Sequence, residues 1–427
     1  MVEPPLDLLQ SLGLAPFRPR SPWLTGDLQT LRDSLRGGVL PVSTGISMDI
    51  QLDTPHQPQH QPHDHPPLAP SHAPLEPSRQ NQPGDRLLAV HDPPLGGGGQ
   101  CREWGEALGL VLLLHGLGGS SEREGLRRMG LTLQHAGFAV LRLNLRGAGA
   151  GRALARGTYA ARCNRDVLPV IARARQLAGG VPLLGVGISL GGTMLLNALL
   201  AAAEERQGAG LSPEGPLLDG LVCLSSPLDL EACSLQMEKP RNRLYRRWLL
   251  RRLVQQTLAD PFGVSQAERA ALEGYGPHGP LRGIRAFDAV ITAPRWAYRD
   301  VDTYYRQASP LPALLGGGAA AASLPPTLLV HAADDPWVPV LSCQQLEAHR
   351  LAGLAPPSLS VLITAHGGHN GFHGRGDGRG DGGVGGPGCW GDRLTARWLR
   401  RLVAIGGSVT GGVASGTAAC SLGLQGY

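Results

Sequence analysis

Aromatic side chains are scarce, with Phe, Trp and Tyr making up 4% of the 427 residues. Any core must therefore be built mainly from Leu, Ala and Val. No CxxC pair occurs among the seven cysteines, Cys101, Cys163, Cys223, Cys233, Cys343, Cys389 and Cys420. Their odd count and wide scatter exclude a disulfide scaffold and fit a reducing compartment. No apolar run approaches the roughly 20 residues needed to cross a bilayer. No basic region followed by an apolar stretch opens the chain, so no signal peptide is expected. Despite 61 glycines, there is no Gly-Lys-Ser/Thr ending and no Gly-x-Gly-x-x-Gly opening a first helix, which removes the phosphate-loop reading. Nor does charge of one sign dominate: 39 basic residues face 34 acidic ones, for a formal charge of +5. These absences leave a cytoplasmic protein, soluble or peripherally attached to a membrane. Its length allows one large domain or two ordinary ones.

What is present is a regular alternation. Residues 1–52 read as an N-terminal extension, proline-rich and irregular over 1–20, with a short helix from Leu24 to Leu35. Residues 53–83 are dense in His, Pro and Gln, and read as a low-complexity spacer rather than a metal site. From residue 86 apolar strands alternate with helices. Strands are expected at Arg86–Val90, Leu108–Leu114, Phe138–Leu143, Val181–Val186 and Leu217–Leu224. Helices are expected near Glu124–His135, Asn164–Leu177 and Leu190–Gln207. Residues 230–310 break the rhythm and read as a helical cap. The alternation resumes over 324–403, with strands at Thr327–His331 and Ser358–Thr364 and helices at Leu341–Leu351 and Trp390–Val403. A glycine-rich insertion interrupts it at 374–388, and 404–427 reads as a flexible tail. Continuous apolar strands separated by helices imply a doubly wound, mostly parallel α/β sheet covered on both faces.

One turn in this framework carries chemistry. Gly187-Ile188-Ser189-Leu190-Gly191-Gly192 lies between a strand and a helix, the setting of a nucleophile elbow. Glycines two before and two after the serine permit the sharp turn, and the helix N-terminus favours developing negative charge. A serine hydroxyl needs a general base, and the base needs a partner that fixes its tautomer. Asp334 and Asp335 follow one strand, and His366 and His369 follow the next, giving the chain order Ser, acid, His. Asp335 is favoured as the acid. His369 is favoured as the base because two glycines precede it and allow a loop returning the ring toward Ser189. The backbone amides of Leu190 and Leu117, the latter within His115-Gly116-Leu117-Gly118, are the expected oxyanion donors. His115 reads as a loop-shaping residue. The arrangement calls for no metal and no organic cofactor.

A basic patch at Arg241, Arg243, Arg246, Arg247, Arg251 and Arg252, interleaved with Tyr245 and Trp248, falls in the cap. It reads as the solvated face of a lid helix, with peripheral membrane contact as the alternative. No nucleic-acid motif accompanies it, and no obligate protein partner is evident. Apolar cap residues such as Leu249, Leu253 and Val254 could pack the lid or line an acyl pocket.

The chain resembles the YheT-like α/β-hydrolases, related to abhydrolase-domain lipases and esterases. The resemblance rests on Phe17-Arg18-Pro19, Trp23-Leu24, Gln29-Thr30, His115-Gly116-Leu117 and Asn144-Leu145-Arg146-Gly147. It continues through the Ser189 turn, Tyr304-Tyr305 with Ala308-Ser309, Asp334-Asp335-Pro336 and Gly368-His369-Asn370-Gly371-Phe372. It implies an α/β-hydrolase fold with a helical cap and a triad of Ser189, Asp335 and His369. It also implies action on carboxylic esters, acylglycerols included. The insertion at 53–83 falls where members carry a β-hairpin, so that edge is expected to be distorted. The insertion at 374–388 is expected to loosen the His369 loop or shape the site entrance. The same triad would serve an acyltransferase or thioesterase, and a non-catalytic binding protein on a hydrolase fold is the reading from another class.

Overall fold

The computed structural model describes residues 5–35, 40–41, 43, 45–52, 84–96, 100–209, 215–273, 281–375, 377 and 388–411. The 53–83 spacer, the middle of the 374–388 insertion and the tail from 412 onward lie outside the described residues.

Eight strands form one sheet in the order β1-β2-β4-β3-β5-β6-β7-β8. They are β1 (Ile46–Gln51), β2 (Arg86–Asp92), β3 (Leu110–Leu114), β4 (Ala139–Leu143), β5 (Leu183–Ile188), β6 (Gly220–Leu224), β7 (Thr327–Ala332) and β8 (Leu359–Thr364). The pairs β1–β2 and β2–β4 are antiparallel, and the five remaining pairs, from β4–β3 to β7–β8, are parallel. Along β3 the residues alternate between two cores although all are apolar. Leu110, Leu112 and Leu114 join one face, while Val111 and Leu113 join the other. Burial on both faces explains why the strands read as unbroken apolar runs.

Helices α3 (Glu124–His135), α4 (Asn164–Ala178) and α5 (Leu190–Gly208) fall where the sequence places them, within a residue or so at each end. Helix α5 presses unusually close to β5. A Cβ on Gly185 would meet Leu218, Leu221 and Leu195 side chains, and one on Gly187 would lie 2.2 Å from Gly192 Cα. Glycines at alternate positions of β5 thus open the face against which α5 and the loop leading into β6 pack.

Three expectations are corrected, and one strand is new. Residues 5–11 are helical, α1 (Pro5–Ser11), and bury Leu8 and Leu9. A proline is compatible with a first helical turn because its missing N–H would be unsatisfied there anyway. Strand β1 was not foreseen. Its pairing with β2 is intact from Ile46↔His91 to Gln51↔Arg86, so the hairpin edge is not distorted by the segment inserted between its strands. A long loop adds little closure cost once the strands pair. The final helix runs from Trp390 to Gly411, past the expected end at Val403. Helix propensity of glycine is poor but not prohibitive, so Gly406 and Gly407 do not end it.

The segment between β6 and β7 begins with α6 (Leu230–Glu238), α7 (Arg243–Leu258) and α8 (Gln266–Glu273). A short helix, α9 (Ile284–Phe287), leads into a π-helical turn at Asp288–Thr292, and a further helix spans Val301–Ala308. Met237, Leu249, Leu250, Leu253, Val254, Leu272 and Phe287 give this cap a small core of its own, against which Leu117 and Trp337 pack. The Tyr304-Tyr305 and Ala308-Ser309 pairs fasten it. Tyr304 Oη accepts from the Ala161 amide (3.0 Å), and Ser309 Oγ accepts from the Leu230 amide (2.9 Å).

Candidate active site

Ser189 sits between β5 and α5 with φ 55° and ψ −126°. A non-glycine residue in this region is strained, and such strain persists only where its surroundings hold it. Here the Ser189 amide donates to Leu224 O (2.8 Å), and Gly192 N donates to Ser189 O (3.1 Å).

The structure brings the favoured partners together and sets the alternatives aside. His369 Nε2 lies 2.9 Å from Ser189 Oγ, and His369 Nδ1 lies 2.9 Å from Asp335 Oδ2. Asp335 is buried, and its Oδ1 accepts from the amides of Trp337 (2.8 Å) and Val338 (3.0 Å). Burial alone would push its carboxyl up. The charge of His369 and its hydrogen bonds more than offset this and hold it below the ordinary carboxylate range. Asp334 faces the other way. It contacts His366 Nδ1 (3.2 Å) and accepts from the Gly368 amide (2.9 Å). Asp334 thus braces the loop that carries His369.

That loop is held from several sides. Gly367 (φ 148°) and Gly368 (φ 57°) make the turn that the two glycines suggested. The His369 amide donates to Thr30 Oγ1 (2.8 Å), the Asn370 amide to Ser225 Oγ (3.2 Å) and the His373 amide to Gln29 Oε1 (2.7 Å). Thr30 and Gln29 belong to α2 (Gly26–Leu35), so the N-terminal segment buttresses the His369 loop. Past it, Asp377 accepts from the Gly374 amide (2.8 Å) and pairs with Arg393 (3.0 Å). In its described part the insertion is therefore anchored beside the His369 loop. The Trp337 ring stacks on His369, with centroids 4.6 Å apart.

The Leu117 loop lies against the serine so closely that a Cβ on Gly116 would be 2.8 Å from Ser189 Cβ. Three neighbours fix it. His115 Nδ1 donates to Gly116 O (2.8 Å), while its Nε2 accepts from the Leu145 amide (3.2 Å). Burial drives the His115 pKa down to about 4, so the ring is a neutral prop. Tyr159 Oη accepts from the Gly118 amide (2.6 Å). Arg252 Nε, from α7 of the cap, donates to Gly118 O (2.6 Å). Sequence reasoning placed Arg252 with the solvated arginines and missed this contact. Only the helical phase, which turns 252 inward beside Leu249 and Leu253, distinguishes it. The Asn144-Leu145-Arg146-Gly147 stretch supports the same loop from below. Its Arg146 is fully buried against Asp166 (2.8 Å from both carboxylate oxygens) and Asp85 (2.5 Å).

Two cavities meet at Ser189, Leu117, Trp337 and His369. One, about 1020 Å³ with its mouth included, runs under the cap between Leu190, Met237, Leu249, Leu253 and Phe287. Asp288 lies in its wall, accepting from Thr292 Oγ1 (2.6 Å) and Tyr305 Oη (2.8 Å). Desolvation raises the Asp288 pKa to about 6 against the pull of these two hydroxyls. The other cavity is more polar and lies between α2, the Leu117 loop and the start of α3. Among the described residues, no group of three or more His, Cys, Asp or Glu side chains is placed to hold a metal ion, and no helix is long and apolar enough to cross a membrane.

Comparison with known proteins agrees with the fold. The model of the alpha/beta hydrolase fold family matches residues 109–375. YheT of Escherichia coli (strain K12) is 37% identical over 199 residues, covering 46% of this chain and 50% of YheT. Phospholipase ABHD3 of Mus musculus is 28% identical over 269 residues, covering 61% of this chain and 58% of that protein. Medium-chain fatty acid ethyl ester synthase/esterase 2 of Saccharomyces cerevisiae is 27% identical over 253 residues, 54% of this chain and 52% of that protein. The chain thus spans between half and three fifths of the length of these relatives. With more than half its length matched by the family model, and with its eight-stranded sheet and cap, the chain belongs to the alpha/beta hydrolase fold family.

Proposed function

We propose that this protein is a serine hydrolase that cleaves carboxylic esters through an acyl-enzyme. The observation that carries the reading is the continuous contact from Ser189 Oγ through His369 to Asp335, 2.9 Å at each step. His369 takes the serine proton as Oγ attacks the ester carbonyl, and the Leu117 and Leu190 amides receive the oxyanion. His369 then passes its proton to the departing alcohol. Water, deprotonated by the same ring, releases the acid. Asp335 holds the Nδ1–H tautomer and stabilises the imidazolium. The apolar cavity under the cap suits the acyl chain, and the polar one suits the leaving alcohol. The names of two relatives, a phospholipase and an ethyl ester synthase/esterase, fit an acyl ester substrate.

A fluorophosphonate probe followed by intact-mass analysis tests the nucleophile. We expect one adduct on the native chain and none on Ser189→Ala, which should also lose hydrolysis of p-nitrophenyl esters by several orders of magnitude. Unchanged hydrolysis in folded Ser189→Ala would refute the assignment. The second, polar cavity at the serine also favours transfer of the acyl group to an alcohol. Adding glycerol or ethanol to the assay and quantifying the new ester against free acid separates that reaction from hydrolysis.

A further inference from the structure

Residues 239–258 hold seven basic residues and no acidic one. In α7 they are sorted by helical phase. Leu249, Leu250, Leu253, Val254 and Thr257 face the cap core. The opposite stripe exposes Arg243, Leu244, Arg247, Trp248, Arg251 and Leu258. Leu244 is 78% exposed and Trp248 48%. Two arginines beside this stripe are paired, Arg241 with Asp27 (3.0 Å) and Arg246 with Glu238 (2.5 Å). Leu235 on α6 and Phe262 just after α7 add exposed apolar surface on the same cap.

From this arrangement we infer that the outer face of α7 docks the protein on an anionic lipid surface. Guanidinium groups meet headgroup phosphates, while Leu244 and the Trp248 indole enter the boundary between headgroups and acyl chains, where an amphipathic ring is at home. A phosphate backbone of nucleic acid would gain nothing from Leu244. The position of the stripe supports the same occupant. Trp248 borders the polar cavity and lies 6.4 Å from Trp337, whose ring stacks on His369, so a bilayer on this face covers the mouth of the site. Docking is a property of the surface and is measured without turnover, so its outcome is independent of the proposed chemistry.

The test is co-sedimentation of the full chain with vesicles of phosphatidylcholine alone and of phosphatidylcholine with 30% phosphatidylglycerol. We expect partitioning into the anionic vesicles, little into the neutral ones, and a steep loss between low and 0.5 M salt. Each arginine near an anionic surface accounts for about fivefold in affinity. Arg243→Glu with Arg251→Glu should therefore weaken binding at least 25-fold, on the order of two such steps. Leu244→Ser should weaken it while leaving the salt dependence unchanged. All three positions lie away from Ser189, so hydrolysis of a water-soluble ester and the thermal midpoint should stay at native values. Equal partitioning into both vesicle types, or native binding by the double variant, would overturn the inference. So would a concentration-dependent dimer broken by Leu244→Ser, since the face would then serve a second copy of the chain.

Discussion

Replacing Arg252 by methionine keeps the length and apolar stem of the side chain but removes the donor to Gly118 O. A charged donor on a neutral carbonyl at 2.6 Å is worth about 1.5–3 kcal/mol. What the bond positions matters more than its stability. It fixes the Gly118–Gly119 peptide, two on from the peptide that carries the Leu117 amide, the proposed oxyanion donor, and losing one such donor outright costs ~10²–10³ in kcat. Tyr159 still holds the Gly118 amide, so the loop is loosened, not released. The expected loss in kcat is therefore roughly ten- to a hundred-fold. KM should change little, because no contact to bound substrate in the ground state is removed. The assay is steady-state hydrolysis of p-nitrophenyl butyrate, run beside the rate of fluorophosphonate labelling, whose phosphonyl oxygen occupies the same hole. Both rates should fall together, and thermal melting should show the cap still folded on Leu249, Leu250 and Leu253. Arg252→Lys restores a cation on a flexible stem and should recover part of the rate. A native kcat in folded Arg252→Met, or a loss confined to KM, would refute the reasoning that the cap sets the geometry of the proposed oxyanion loop.

Asp288 makes stability depend on pH. Its pKa, 3.8 in the ordinary case, is raised to about 6 in the fold. Between those values the native state keeps a proton that the unfolded chain has lost, so stability falls as pH rises through that window and stays lower above it. The cost is bounded at about 3 kcal/mol from the size of the shift, and Asp288→Asn should remove it, partly offset by the loss of one hydroxyl contact. Urea midpoints at pH 4.5 and 7.5 check this, and an equal effect of the substitution at both pH values would show the slope arises elsewhere. Gly187→Ala should destabilise by about 3 kcal/mol or more, because its Cβ would meet the Gly192 backbone at 2.2 Å. Gly208→Ala, with nothing within 4 Å of the added carbon, should be neutral or gain up to about 1 kcal/mol. Denaturant unfolding of the two variants side by side decides whether close packing on β5, rather than backbone freedom, selects glycine there.

Why some of the site was legible and some was not follows from the range of the forces that write it. Ser189 was visible because its geometry is local: a turn with positive φ needs small neighbours, and these stand two residues away on either side. Asp335 and His369 were visible because parallel strands deliver their C-terminal ends to one edge, and Gly367 and Gly368 mark where the chain doubles back. The choice between Asp334 and Asp335 is also local in sequence, yet the contacts that distinguish them come from the fold. Successive side chains diverge, and one turn sends Asp335 under the Trp337 and Val338 amides while Asp334 meets Gly368. Thr30 and Gln29 were marked only by the family resemblance, with no chemistry attached to them. A threonine and a glutamine on a short helix say nothing about a loop 339 and 344 positions away. Arg252 was hidden for the opposite reason, among neighbours of identical chemistry. Arg251 and Arg252 differ only by about 100° of helical rotation. That rotation directs one toward solvent and the other onto Gly118 O, so the same short run of sequence faces both the surface and the Leu117 loop. Which arginine does which depends on the phase of α7, and that phase is set by Leu249, Leu250, Leu253 and Val254 packing into the cap core. Substituting these residues should therefore shift the Leu117 loop, both through Arg252 and through the packing of Leu117 on the same core.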